Sequence, residues 1–223
     1  TPPLTAPHAS WGAQLHVLPA GVEAPLWATA LVVADEETTA AWVDLDLVIV
    51  SRAESDAIRQ AVGAALGIPA AAVRVSVTHN HAGPPPSAWN WTSQGGEALA
   101  AYYGGLPEYA AGAARLAANT MAAAQVGVGS GESRVAVNRR ETAPGGRMVT
   151  GVNPDGPIDP EVFVLRIDAE AGNPLAAVVG YTMHPTTLGP GNRWVSPDWP
   201  GHLKRTVERL TGATCLFAQG ATG

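Results

Sequence analysis

What most restricts the fold is the order of local signals between Leu26 and Val77. Two apolar runs, Leu26–Ala34 and Ala40–Val50, flank the polar turn Asp35-Glu36-Glu37-Thr38-Thr39, the pattern of a β-hairpin. Ser51-Arg52-Ala53-Glu54 follows as a capping box, in which hydroxyl and carboxylate satisfy the free amides at a helix start. The helix should run to Leu66, where Gly67 suits the left-handed C′ position and Pro69 blocks continuation. Val73–Val77 then alternates as a strand. Strand, helix and strand in that order predict a βαβ crossover and so a sheet that is at least partly parallel.

The remaining signals extend this α/β pattern. Pro107 should open a second helix over about Glu108–Gln125, with Tyr109, Leu116 and Met121 as core candidates. A strand is expected around Arg134–Asn138, a Gly/Pro-rich loop over Ala143–Pro160, and an antiparallel hairpin from Val162–Asp168 and Leu175–Met183. A third helix, about Pro200–Leu210, has Asp198 as its expected N-cap and Gly212 as its stop, before a last strand at Cys215–Ala218. The expectation is a layered α/β domain, a mixed β-sheet flanked by helices, spanning 1–223 as one unit. Apolar residues at 46% against 14% charged are enough to give it a sizeable core.

Composition also excludes some functions. The net charge is −6 and the 13 Lys and Arg are scattered, Arg139–Arg140 and Lys204–Arg205 being the adjacent pairs, so nucleic acid is not an expected partner. No apolar stretch approaches the roughly 20 residues of a membrane-spanning helix. A soluble protein is expected, with secretion left open; a first residue other than Met suggests that something upstream has been removed. Cys215 sits in an apolar run and reads as a buried structural thiol.

Chemistry concentrates in Thr78-His79-Asn80-His81-Ala82-Gly83-Pro84. In an extended chain, residues i and i+2 share a face, so His79 and His81 would project together from the carboxyl end of the Val73–Val77 strand. That edge is where α/β sheets place their sites, and neutral imidazole is a preferred zinc ligand. His184 ends another apolar strand and precedes Pro185, which turns the chain away from the sheet, so it is aimed at the same edge. His8 and His16 lie in a poorly patterned N-terminal segment, and His202 is expected to be solvated. A chance histidine pair, or a core His184 bonded to a backbone carbonyl, would produce the same pattern. The sequence has no Gly-x-Ser-x-Gly elbow, phosphate loop, complete dinucleotide fingerprint or His-Glu-x-x-His helix.

These residues resemble the neutral/alkaline ceramidase family, whose signature is Thr-His-Thr-His-Ser-Gly-Pro. Thr1-Pro2-Pro3, Gly21–Ala28, Val137-Asn138-Arg139, His184-Pro185-Thr186, Ser196–Gly201 and Phe217–Gly220 each resemble a family element, in the family's order. The resemblance implies a ceramidase-like N-terminal domain in which His79 and His184 bind one Zn²⁺. It further implies that His81 lies beside the metal as a catalytic group and that Arg139 holds substrate or the developing oxyanion. The implied reaction is hydrolysis of an amide-linked acyl group in a small N-acyl substrate by metal-activated water. Asn80 and Ala82 stand where the family has Thr and Ser, so hydrogen bonding around the site should differ. The family's catalytic Ser loop and its Glu and Tyr zinc ligands have no counterparts here, so a second polypeptide segment or chain is expected to complete the site. The competing readings are a barrel-type metal-dependent amidohydrolase and a non-catalytic binding or scaffold domain of the same fold.

Overall fold

The hairpin and the crossover form as the local signals require. The computed structural model describes residues 1–8, 18–87 and 94–222. After the short strand β1 (Gly21–Val22) come β2 (Ala28–Ala34), β3 (Thr39–Leu45), helix α1 (Arg52–Leu66) and β4 (Val73–Val77). β2 and β3 pair antiparallel and β3 and β4 parallel. Ser51 accepts from Glu54 N at 3.2 Å while Glu54 accepts from Ser51 N at 2.6 Å. Gly67 closes α1 at φ 69°, a left-handed conformation that carries no Cβ penalty for glycine.

The chain continues through α2 (Gly96–Asn119), β5 (Ala124–Glu132), β6 (Asn138–Thr142), β7 (Met148–Asn153), β8 (Glu161–Ala169), β9 (Pro174–Tyr181), β10 (Trp194–Val195), α3 (Asp198–Thr211) and β11 (Thr214–Gln219). β11, β9, β8 and β5 form a second mixed sheet in that order, β11 parallel to β9 and the other pairs antiparallel. β6 pairs with β7 and β1 with β10 as small ribbons. The layered α/β expectation holds, with the strands divided between separate sheets rather than joined in one.

The main core lies between the first sheet and helices α1 and α2, where Val43, Ile58, Val62, Ala110 and Ala114 are fully buried. Burying a side chain the size of Ile58 contributes about 1.5–3 kcal/mol. The opposite face of that sheet turns toward β11 and α3, which places Asp44 and Lys204 between layers.

Several expectations fail for identifiable reasons. Pro107 lies inside α2 instead of opening it. An internal proline costs ~3 kcal/mol, and burial of Leu99, Tyr102, Tyr103 and Leu106 ahead of it offsets that cost. Tyr109, Leu116 and Met121 are exposed, because the packed face of α2 is set by Leu106, Ala110 and Ala114. The strand expected at Arg134–Asn138 is displaced: β5 ends at Glu132 and β6 begins at Asn138. Within the Ala143–Pro160 loop, Met148–Asn153 pairs with β6 as β7. All of β5 is exposed, Val126 and Val128 included, and it forms an edge of its sheet.

Candidate metal centre

The carboxyl ends of β4 and β9 bring three imidazoles together. Beyond β4, Thr78 N donates to Leu45 O at 2.9 Å and Asn80 N to Leu47 O at 3.2 Å, so the chain stays beside the segment leaving β3. His79 between them has φ 61°, a left-handed conformation that is uncommon for a non-glycine residue. The extended geometry inferred from the His-x-His spacing is therefore absent, and a turn rather than a strand pleat unites His79 with His81. The buried Asn80 fastens that turn: its Nδ2 donates to Ser196 O and its Oδ1 accepts from Ala82 N, each at 2.8 Å. His81 N reaches Pro185 O at 3.4 Å, which links the turn to the segment bearing His184.

His184 lies three residues past the end of β9. Gln219, at the end of β11, donates from Nε2 to Tyr181 O at 3.4 Å and Met183 O at 3.3 Å, and Trp199 Nε1 donates to His184 O at 3.3 Å. Asp198 is not the N-cap of α3, since Pro197 occupies that position. Its buried carboxylate accepts instead from Thr187 Oγ1, from Leu188 N at 3.3 Å and from Trp199 N at 2.6 Å, so it anchors the loop that follows His184. Competition from this loop explains why the capping signal misled.

The ring centroids lie 4.9 Å apart for His79 and His81, 4.7 Å for His79 and His184, and 5.0 Å for His81 and His184. His81 Nε2 is 3.4 Å from His79 Nε2 and 3.1 Å from His184 Nε2. All three residues are half-buried, and each offers a ligand atom within 4.8 Å of the others. His79 Nδ1 donates to Val48 O at 2.8 Å, which leaves the Nε2 lone pair pointing into the cluster. A carbonyl on the distal nitrogen is a common way to orient a metal-binding imidazole.

Arg139 joins the cluster from β6, where the register shifts between Asn138 and Arg140. Such a bulge re-aims a side chain, and here Nη2 comes within 3.1 Å of His184 Nδ1. A guanidinium only donates, so neutral His184 carries its proton on Nε2 and directs it at His81. Withdrawal from water, followed by the Arg139 charge and the neighbouring imidazoles, pushes the His184 pKa down to about 3.

Three imidazoles are a donor set that could hold a metal ion such as zinc. Tetrahedral nitrogen ligands at about 2.0–2.1 Å from the metal lie about 3.3–3.4 Å apart, close to the 3.4 Å from His81 to His79 and the 3.1 Å from His81 to His184. His79 is already in the ligating tautomer, whereas His184 would have to move its proton from Nε2 to Nδ1. The other described histidines stand apart. His8 is fully buried with Nε2 at 3.2 Å from Asn192 O, His202 is exposed near Glu23, and His16 lies outside the described residues. Cys215 is buried, and burial raises its thiol pKa to about 12. The sequence reading missed Val48, Trp199, Gln219 and the buried Lys204–Asp44–Asp46 cluster. Of these only Trp199 and Gln219 fell within motifs that had drawn attention.

A layered α/β domain with a histidine cluster at its strand edge is thus the class that fold and site define. No protein-family model matches the sequence. No curated protein matches it either. Among solved structures, the neutral ceramidase from Pseudomonas aeruginosa is similar over 100% of this chain and 37% of its own, with a TM-score of 0.73 at 22% identity. A ceramidase complexed with C2 is similar over the same shares, with a TM-score of 0.69 and 22% identity. The fold is therefore ceramidase-like, and this chain spans 37% of the length of those proteins. No helix among the described residues is long and apolar enough to cross a membrane.

Proposed function

We propose that the chain forms the metal-holding part of a zinc-dependent hydrolase that cleaves an amide-linked acyl group. The observation that carries this reading is the convergence of three imidazoles whose ligand atoms lie within 4.8 Å of one another, one of them fixed by the Val48 carbonyl. His79 and His184 are the proposed ligands. His81, within reach of both, would hold a proton at the reaction centre and deliver it to the leaving amine. Zinc bound there would acidify a water and polarise the acyl carbonyl. Arg139, a permanent cation that lies 3.1 Å from His184 Nδ1, would offer its guanidinium to the carbonyl oxygen.

The ceramidase-like fold supports this chemistry over phosphate-ester cleavage, as does the absence of a carboxylate among the described metal-capable residues. Two histidine ligands make an incomplete shell, since catalytic zinc usually takes three ligands from protein. A further segment or chain is therefore part of the proposal, packing against this 1–223 unit and supplying a carboxylate and a phenolate. Metal analysis of the purified protein together with its completing segment, with His79→Ala and His184→Ala variants, tests the centre: zinc near one equivalent should fall in both. Side-by-side assay of N-acyl amines, N-acyl amino acids and phosphate esters tests the reaction. Absence of zinc from the parent, or preference for phosphate esters, would overturn the reading.

A further inference from the structure

We infer that α3 sets the spacing between the two segments that carry His79 and His184, with Lys204 as the positioning residue on the His79 side. The inference rests on the metal-centre reading above, but it concerns groups that touch no metal. Lys204, 5% exposed in its side chain, donates from Nζ to Asp46 Oδ1 at 2.6 Å and Asp44 Oδ2 at 3.3 Å, and both carboxylates are fully buried. The second oxygen of Asp46 accepts from Trp27 N at 3.0 Å, and Asp46 N donates to Trp27 O at 3.1 Å. Two residues further on, Val48 presents the carbonyl that fixes the His79 ring. The path from α3 to His79 thus runs through one ion pair and one short, buried stretch of backbone.

The same helix holds the other segment by its first turn. Asp198 ties down Thr187 and Leu188, and Trp199 donates to the carbonyl of His184 itself. Trp199 and Lys204 are five residues apart, about 7.5 Å along a helix axis at 1.5 Å per residue. That distance cannot stretch without breaking backbone hydrogen bonds. An apolar residue at 204 could bury α3 equally well but would leave it free to slide, whereas an ammonium shared by two carboxylates fixes the register. Asp44 extends the same node to β11 by accepting from Phe217 N at 3.1 Å.

The test starts without metal. In the parent, the ¹⁵N shifts of His79 should report a single tautomer protonated on Nδ1. In Lys204→Met the loop holding Val48 relaxes, and the shifts should move toward mixed tautomers. Co²⁺ affinity should fall about tenfold or more, as for other groups that orient metal ligands, with an altered visible absorption spectrum. Asp46→Asn covers the case in which Lys204→Met does not fold, because its single oxygen can serve Trp27 or Lys204 but not both. Trp199→Phe keeps the ring packed 4.9 Å from Phe217 and should disturb His184 while leaving the His79 tautomer intact. Ile58→Val, a core change remote from α3, should leave both histidines as in the parent. Unchanged His79 shifts and Co²⁺ affinity in a folded Lys204→Met or Asp46→Asn protein would overturn the inference, as would a tautomer shift in Ile58→Val. A parent that binds no Co²⁺ would instead overturn the metal reading, and the tautomer measurement would still decide the role of Lys204.

Discussion

Replacing Asn80 with Ala should cost far more than the loss of one polar side chain suggests. The Asn80 amide is fully buried, and its two hydrogen bonds serve backbone groups: the carbonyl of Ser196 and the N–H of Ala82, each at 2.8 Å. Alanine would leave both partners buried and unpaired. Each orphaned group costs ~1–3 kcal/mol, so the sum is ~2–6 kcal/mol, a large part of the ~5–15 kcal/mol that typically holds a domain together. With a urea m-value of ~2 kcal/mol/M, the unfolding midpoint should drop by about 1–3 M. Threonine, the residue at this position in the ceramidase signature, keeps one hydroxyl and should recover part of the loss. Equilibrium urea unfolding followed by tryptophan fluorescence measures both variants. A midpoint within about 0.2 M of the parent for Asn80→Ala would refute the claim that this amide fastens the turn between His79 and His81.

Other expectations follow from the buried titratable groups. The His184 ring, with its pKa pushed down to about 3, should show no titration by NMR between pH 5 and 8 in the metal-free protein. Because the unfolded chain takes up that proton near 6.5, the contribution of His184 to stability is complete above this pH and is lost as pH falls from there toward 3. A midpoint near 6.5 in the folded protein would contradict the burial and the Arg139 contact. Asp44 has the opposite sign: burial raises its pKa to about 6, so its protonated form favours folding below about 3.8 and that benefit disappears as pH rises through 6. Asp44→Asn should therefore flatten the stability profile between pH 4 and 7, read from urea unfolding at each pH. Finally, Cys215 should resist iodoacetamide in the folded protein at pH 8 and react once it is unfolded, as a mass shift would record.

The parts of this fold that were legible in the sequence are those fixed by neighbouring residues. The Ser51–Glu54 box, the left-handed Gly67 and Gly212, the two long hairpins and the parallel crossover each depend on a few adjacent side chains, and each formed. Where a distant surface decides, the reading failed. Pro107 looked like a helix start because nothing local shows that Leu99–Leu106 packs against α1. Asp198 looked like a cap because Thr187 and Leu188 are eleven and ten residues away along the chain. Lys204 read only as half of an adjacent basic pair, yet its partners lie 158 and 160 residues earlier. The histidines could be named because strand ends and an X-Pro turn limit where they can point. The bend at His79 that joins two of them depends on Val48, Ser196 and Pro185, which no spacing rule connects.

The exposed edge strand β5 has its own consequence for how the chain behaves in concentrated solution. Val126 and Val128 project from one side, Gly127, Gly129 and Gly131 fall on alternate positions, and Glu132 supplies the sole charge in nine residues. Such a ribbon offers unpaired amides and carbonyls along one margin with little to repel a second copy. Self-association of the isolated polypeptide would therefore proceed by pairing β5 of one copy with β5 of another, a contact that closes at a dimer, rather than by random clumping of greasy spots. A lysine at Val128, pointing away from the ladder, would be a natural gatekeeper.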